Sequence, residues 1–141
     1  MAIIESSVSI NKPVEKVFAF LSDLNQQKAM NSTITDVVFS GKVGVGTKFQ
    51  VKGTVMGRNF ESNNEIVAFE ANKKLGIKTF APPPASDVTN TYTLEKDGSG
   101  TKLLLAMDTV IMAPGMEEMV KTQVKNGLDT SLAAIKKALE G

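Results

Sequence analysis

One change of period governs what this chain can fold into. Up to Ile111, with one interruption by two short helices, apolar residues recur at every second position in a series of short runs; beyond Pro114 they recur every three to four positions as far as Leu139. The first pattern is that of half-buried strands and the second that of one long amphipathic helix. Its stripe comprises Met116, Met119, Val120, Gln123, Val124, Gly127, Leu128, Ser131, Leu132, Ile135 and Leu139. This predicts a helix of about 25 residues, roughly 38 Å long. Glu117 and Glu118 in its first turn and Lys136 and Lys137 in its last complement the helix dipole and mark both ends.

The strand signals come in order. Ile4, Val8 and Ile10 share one parity over residues 2–10, with Glu5, Ser7 and Ser9 on the other. A short helix begins at Pro13, suited to a first helical position, and carries Val14, Val17, Phe18 and Leu21 on one side. Asp23 or Asn25 is placed to cap a second small helix reaching about Asn31. Alternation resumes from Thr33 through Val37 and Phe39, turns at Gly41 to Gly46, and runs through Phe49, Val51 and Val55 to a break around Gly57. Phe60 and Ile66 mark a fourth strand, Leu75, Ile77 and Thr79 one face of a fifth, and Val88, Asn90, Tyr92 and Leu94 one face of a sixth. The prolines between Ala81 and Ala85 must lie outside the sheet. Asp97 to Gly100 reads as a hairpin turn, after which Leu103, Leu105, Met107, Thr109 and Ile111 continue as a seventh strand. Sequential hairpin links imply a meander.

A one-sided helix and a seven-stranded antiparallel meander each have one apolar face, and packing the helix into the concave side of the curled sheet buries both. Gly53 and Gly57 fall at alternating strand positions where missing side chains favour bending. The expected fold is therefore α+β, a helix-grip domain over residues 1–141, with room for a cavity between sheet and helix.

Composition narrows the chemistry. The chain has no cysteine and no histidine, which removes disulfides, thiolate metal sites, a cysteine nucleophile and the usual general base near neutral pH. Neither a metal nor a cofactor is expected. A net charge of +1 supplies no field to attract nucleic acid. The start Met1-Ala-Ile-Ile-Glu5 lacks the pattern of a secretory signal, and no run has the length of a membrane span, so a cytoplasmic protein without stable membrane insertion is expected.

Local sequences add a resemblance. Ile10-Asn-Lys-Pro13-Val-Glu-Lys-Val17-Phe18-Ala-Phe-Leu21-Ser-Asp23 is similar to the approach to the first helix in the START-like (SRPBCC) superfamily, which includes the birch-pollen allergen and polyketide cyclase/dehydrase-like proteins. Gly44-Val-Gly46-Thr47 resembles its turn before the third strand. Glu65-Ile66 with Lys74-Leu75, and Tyr92-Thr-Leu94-Glu95 with Gly98-Ser-Gly100-Thr101-Lys102-Leu103, resemble its fourth-to-seventh-strand signatures. The likeness covers essentially the whole chain. Where many relatives carry a tryptophan after the short helices, this chain has Lys28-Ala29-Met30-Asn31. The resemblance implies a pocket for a lipid, polyketide or other apolar metabolite more firmly than it implies an activity.

Candidate cavity residues follow from parity and stripe. On the strands they are Val51, Phe60, Ser62, Asn64, Ile77, Thr79, Asn90, Tyr92, Leu105, Met107 and Thr109; on the helix, Met116, Met119, Val120, Gln123, Val124 and Gly127. Met107, Met112, Met116 and Met119 either adapt to an irregular ligand or fill gaps in the core. Tyr92, the single tyrosine, is expected inward, its hydroxyl bonded to a ligand or, more in keeping with a buried hydroxyl, to the protein. Gln123 and Ser131 interrupt the apolar stripe, and Gly127 marks either a close approach or a weak spot. Residues Ala81 to Ala85 form either a stiff rim at the cavity entrance or a plain connection. Asp87, Glu95 and Asp108 read as solvated charges of the outer face. No catalytic residue is assigned. The leading expectation is a non-catalytic carrier or sensor of a small apolar molecule. The alternatives are a cofactor-independent polyketide cyclase/dehydratase-like enzyme and a co-chaperone-like interaction module.

Overall fold

The alternating segments form seven strands and the 3.6-residue stripe one long helix. The computed structural model describes residues 2–26, 34–39, 41–80, 87–109, 115 and 117–140. β1 (Ala2–Ile10) leads into α1 (Val14–Ser22) and a 3-10 turn (Leu24–Gln26), followed by β2 (Ile34–Phe39), β3 (Lys48–Val55), β4 (Arg58–Glu70), β5 (Lys74–Phe80), β6 (Val88–Asp97), β7 (Gly100–Thr109) and α2 (Glu117–Glu140). The strands make one antiparallel sheet in the order β1-β7-β6-β5-β4-β3-β2, a meander closed on one side by the first strand.

Directly paired residues point to the same side of a sheet. Leu103 faces Val8 and Leu94, Leu105 faces Ser6 and Tyr92, and Met107 faces Ile4 and Asn90. The same face continues through Leu75 and Ile77 to Ile66 and Asn64, then to Phe49, Val51 and Val37. Register shifts between Ile66 and Ala68, and between Ile34 and Asp36, mark irregularities of the kind that bend a sheet. α2 rests mainly on β1, with β7 as its lesser neighbour, and buries Leu128, Leu132 and Ile135.

α1 closes one end of this inner face. It buries Val14, Val17, Phe18 and Leu21, and the Phe18 ring meets Phe69 of β4 edge-on at 5.2 Å between centroids. Pro13 precedes the helix by one position compared with expectation: it is the N-cap, extended at ψ 156°, and its carbonyl accepts from the N–H groups of Lys16 and Val17. The fixed proline φ suits either place.

Gly57 is a turn residue and not a strand bend. Met56 and Gly57, at φ 52° and 78°, link β3 to β4 with the two positive φ values of a type I′ hairpin. After Asp23 the described chain forms only the 3-10 turn, and the rest of the expected second helix, Lys28 to Asn31 with it, lies outside the described residues. So do Ala81 to Ala85, Ile111, Met112 and Met116.

Candidate functional site

The ten strand candidates from Val51 to Met107 stand together on the inner face, because their pairings link them across β3 to β7 and the shift between Ile66 and Ala68 lies outside them. Thr109 holds the register position opposite Ala2. Burial along this face is graded. At the end covered by α1 and the C-terminal half of α2, Ile10, Leu94, Leu103, Leu75 and Ile66 are buried, and Leu105, Tyr92, Ile77, Asn64, Phe49 and Val51 follow, buried as well. Further along, Met107, Asn90, Thr79, Ser62 and Phe60 are only half-buried.

α2 shows the same gradient. Leu128, Leu132 and Ile135 in its C-terminal half are buried, Val120 and Val124 are half-buried, and Met119 is 53% exposed. Gln123 and Gly127 are exposed too, so the flank Met119-Gln123-Gly127 of the predicted stripe is not seated on the sheet. A Cβ added at Gly127 would meet nothing within 4 Å, which favours the weak spot over the close approach. The apolar stripe is wider than the contact with β1, and the sector that docks runs through Leu128, Leu132 and Ile135.

Polar groups on the inner face divide into two sets. Asn64 is satisfied by its neighbours: its Oδ1 accepts from the Thr79 hydroxyl at 2.6 Å, and its Nδ2 donates to the Ser62 carbonyl and hydroxyl, each at 3.2 Å. Tyr92 is different. It is only 9% exposed, yet its hydroxyl bonds to no group among the described residues, contrary to the expectation of a structural partner. Burial pushes its pKa up to about 12, because the phenolate would lose its hydration. The group is thus a neutral hydrogen-bond donor across the ordinary pH range. Asn90, two residues away on the same face and half-buried, has no side-chain bond among the described residues either.

A second polar feature was not anticipated. Ser6, buried on β1, donates to Asp129 Oδ1 of α2, and Lys125 lies 3.7 Å from the same oxygen. Nearby, Lys136 donates to the Ser9 carbonyl, and Glu140 accepts from the Asn11 N–H at 2.8 Å and pairs with Lys136 at 3.2 Å. The Asn11 hydrogen bond, with Lys136 beside it, holds the Glu140 carboxyl below the usual carboxylate range. These bonds latch the C-terminal half of α2 to β1. The available signal was parity, since Ser6 shares the inward register of Ile4 and Val8.

Of the acids assigned to the outer face, Glu95 is exposed and Asp87 lies 3.7 Å from Lys78. Asp108 departs from that reading: it faces outward opposite Ile3 and Thr89, but it is half-buried, and its Oδ1 is buried without a hydrogen-bond partner among the described residues. Strand parity sets direction, whereas burial also depends on neighbouring strands.

Among the described residues no helix is long and apolar enough to cross a membrane. No protein of curated function matches the sequence. Solved structures do match. Ara h 8.0201 is similar at 19% identity and a TM-score of 0.78, over 98% of this chain and 97% of its own. TTHA0849 from Thermus thermophilus is similar at 14% identity and a TM-score of 0.74, over 98% of this chain and 97% of its own. The di-domain ARO/CYC BexL from the BE-7585A biosynthetic pathway is similar at 15% identity and a TM-score of 0.83, over 99% of this chain and 47% of its own. At such identities the likeness is one of fold, the helix-grip fold of the START-like superfamily. The model of the family described as polyketide cyclase / dehydrase and lipid transport matches residues 1–140, and the chain belongs to that family.

Proposed function

We propose that this protein binds a small, mostly apolar molecule between the sheet and the N-terminal half of α2. One observation carries the reading: burial falls off toward the same end on both the inner face of the sheet and the helix that covers it. Met107, Asn90, Val120 and Val124 stand half-buried there, Met107 and Val124 at the margin of the core, so partly uncovered apolar surface lies beside the packed end. A pocket of mainly apolar walls with few convergent polar groups is the usual form of a small-molecule site. Tyr92, Asn90, Ile77 and Leu105 form its floor in this reading, Val51, Phe60, Ser62, Asn64 and Thr79 its far wall, and Val120 and Val124 its roof. The family description, which names both lipid transport and polyketide cyclisation, accords with a ligand of this kind.

The test is mass spectrometry of the purified protein under native and denaturing conditions. A stoichiometric apolar adduct that is lost on denaturation is the expected result, and its extraction identifies the chemical class. A clean unliganded mass, with no shift of the inner-face amides when a long-chain methyl ketone is added, refutes the reading.

A second reading is a cyclase/dehydratase-like enzyme, favoured by the family description and by the unpartnered Tyr92 hydroxyl. A phenol with a pKa near 12 is a poor base at neutral pH and a serviceable donor, so its part would be to polarise a carbonyl of a reactive substrate. Turnover of a cyclisable polyketide that is lost in Tyr92→Phe would support this reading over simple binding.

A further inference from the structure

The identity of the inner-face residues says something about charge. From Ile4 to Ile10 on β1, Thr101 to Met107 on β7, Val88 to Leu94 on β6, Leu75 to Thr79 on β5, Phe60 to Ile66 on β4 and Phe49 to Gly53 on β3, every inward position carries an uncharged side chain. The cations that share this parity stand exposed at strand ends. Lys96 lies beyond the packed Leu94, and Arg58 stands exposed one inward position beyond Phe60, at the outer end of the far wall and eight residues, roughly 26 Å of extended strand, from Ile66. On α2, Asp129 holds Ser6 of β1 and Lys125, and Lys121 stands exposed.

Against this neutral surface the inner-face polar groups are unequal. Ser62, Asn64 and Thr79 bond to one another. Tyr92 offers a donor with no partner among the described residues, on a residue that is itself buried. We infer, resting on the ligand-binding reading above, that the molecule held here is uncharged along the length that enters the fold and presents an acceptor oxygen, of a ketone, ester or ether, to the Tyr92 hydroxyl. At the depth of Tyr92 a free carboxylate would meet no cation among the described residues and would lose its hydration without compensation. The site therefore selects against fatty-acid-like anions and for neutral carbonyl compounds of the same size.

Three probes of one shape separate the contributions: acetylnaphthalene, which has the acceptor, ethylnaphthalene, which lacks it, and naphthoate, which is charged. Binding to the whole chain near neutral pH is followed by amide chemical shifts in isotope-labelled wild type and Tyr92→Phe. In wild type the ketone is expected to bind about 3- to 10-fold more tightly than the hydrocarbon, the usual worth of one hydrogen bond. It should bind at least about tenfold more tightly than naphthoate, the least cost of a buried unpaired charge. In Tyr92→Phe the ketone loses its advantage while the hydrocarbon still binds, which also shows that the variant is folded. Naphthoate binding as tightly as the ketone overturns the inference, and so does a ketone preference that survives in Tyr92→Phe. Should none of the three bind wild type, the ligand-binding reading itself falls, an outcome distinct from loss of selectivity alone.

Discussion

The ionisation of Tyr92 offers a direct measure of how dry its surroundings on the inner face are. It is the single tyrosine of a chain without tryptophan, so the near-ultraviolet phenolate band reports this group alone. Its pKa is pushed up to about 12 from an ordinary value of 10.0, with burial as the cause. The unfolded chain therefore ionises first as pH rises. The stability associated with keeping the neutral phenol is complete below pH 10 and is lost as pH climbs toward 12. A rise of that size corresponds to roughly 3 kcal/mol over the window. Other groups titrate there too, so the quantity to compare is urea-unfolding stability in wild type and Tyr92→Phe across the same pH range. The wild type should lose roughly 3 kcal/mol more than the variant. Near neutral pH the two should be about equally stable, because the hydroxyl has no partner among the described residues to lose. A phenolate titration centred at pH 10 in the folded protein would refute the argument, placing the hydroxyl in water.

Two further predictions concern α2. Gly127→Ala should stabilise the protein by about 1 kcal/mol, since the position is exposed and helical and an added Cβ meets nothing within 4 Å; thermal melts should show a rise of a few degrees, and a fall would mean that a neighbour approaches there. Glu140 has its carboxyl pKa lowered by the Asn11 hydrogen bond, so its contribution is present above the ordinary value of 4.5 and is lost as pH falls through the lowered one; acid unfolding of Glu140→Gln should lack that component, and identical acid profiles would dismiss the latch.

How far the site could be read from residues depends on the kind of periodicity involved. A strand has only two faces, so Leu75, Ile77 and Thr79 could be aligned with Asn90 and Tyr92 from alternation alone, and the observed register agrees. A helix has a continuum of directions. The stripe from Met116 to Leu139 was wide enough to include both Met119-Gln123-Gly127 and Val120-Val124-Leu128, and only contact with β1 distinguishes them. Hydrogen bonding is less legible still. Parity turned Tyr92 inward and Asp108 outward, but whether a hydroxyl or a carboxylate oxygen finds a partner is decided by atoms far away in the chain. The Ser6 to Asp129 bond, spanning 123 positions, is of the same kind.

The two halves of α2 divide the work along the chain's most distinctive element. Its C-terminal half is held by the buried Leu128, Leu132 and Ile135 and by the bonds through Asp129, Lys136 and Glu140. Its N-terminal half is less buried among the described residues, with Met119 largely in solvent, Val120 half-buried and Val124 half-buried at the margin of the core. Segments with few buried contacts open at low free energy, while the packed ones open only with the whole fold. On the proposed ligand-binding reading, a molecule would reach Tyr92 and Asn90 by displacing the less buried end while the latched end keeps the helix in place. It follows that contacts around Leu132 and Asp129 govern stability, whereas the half-buried Val120 and Val124, the latter at the margin of the core, contribute less to it.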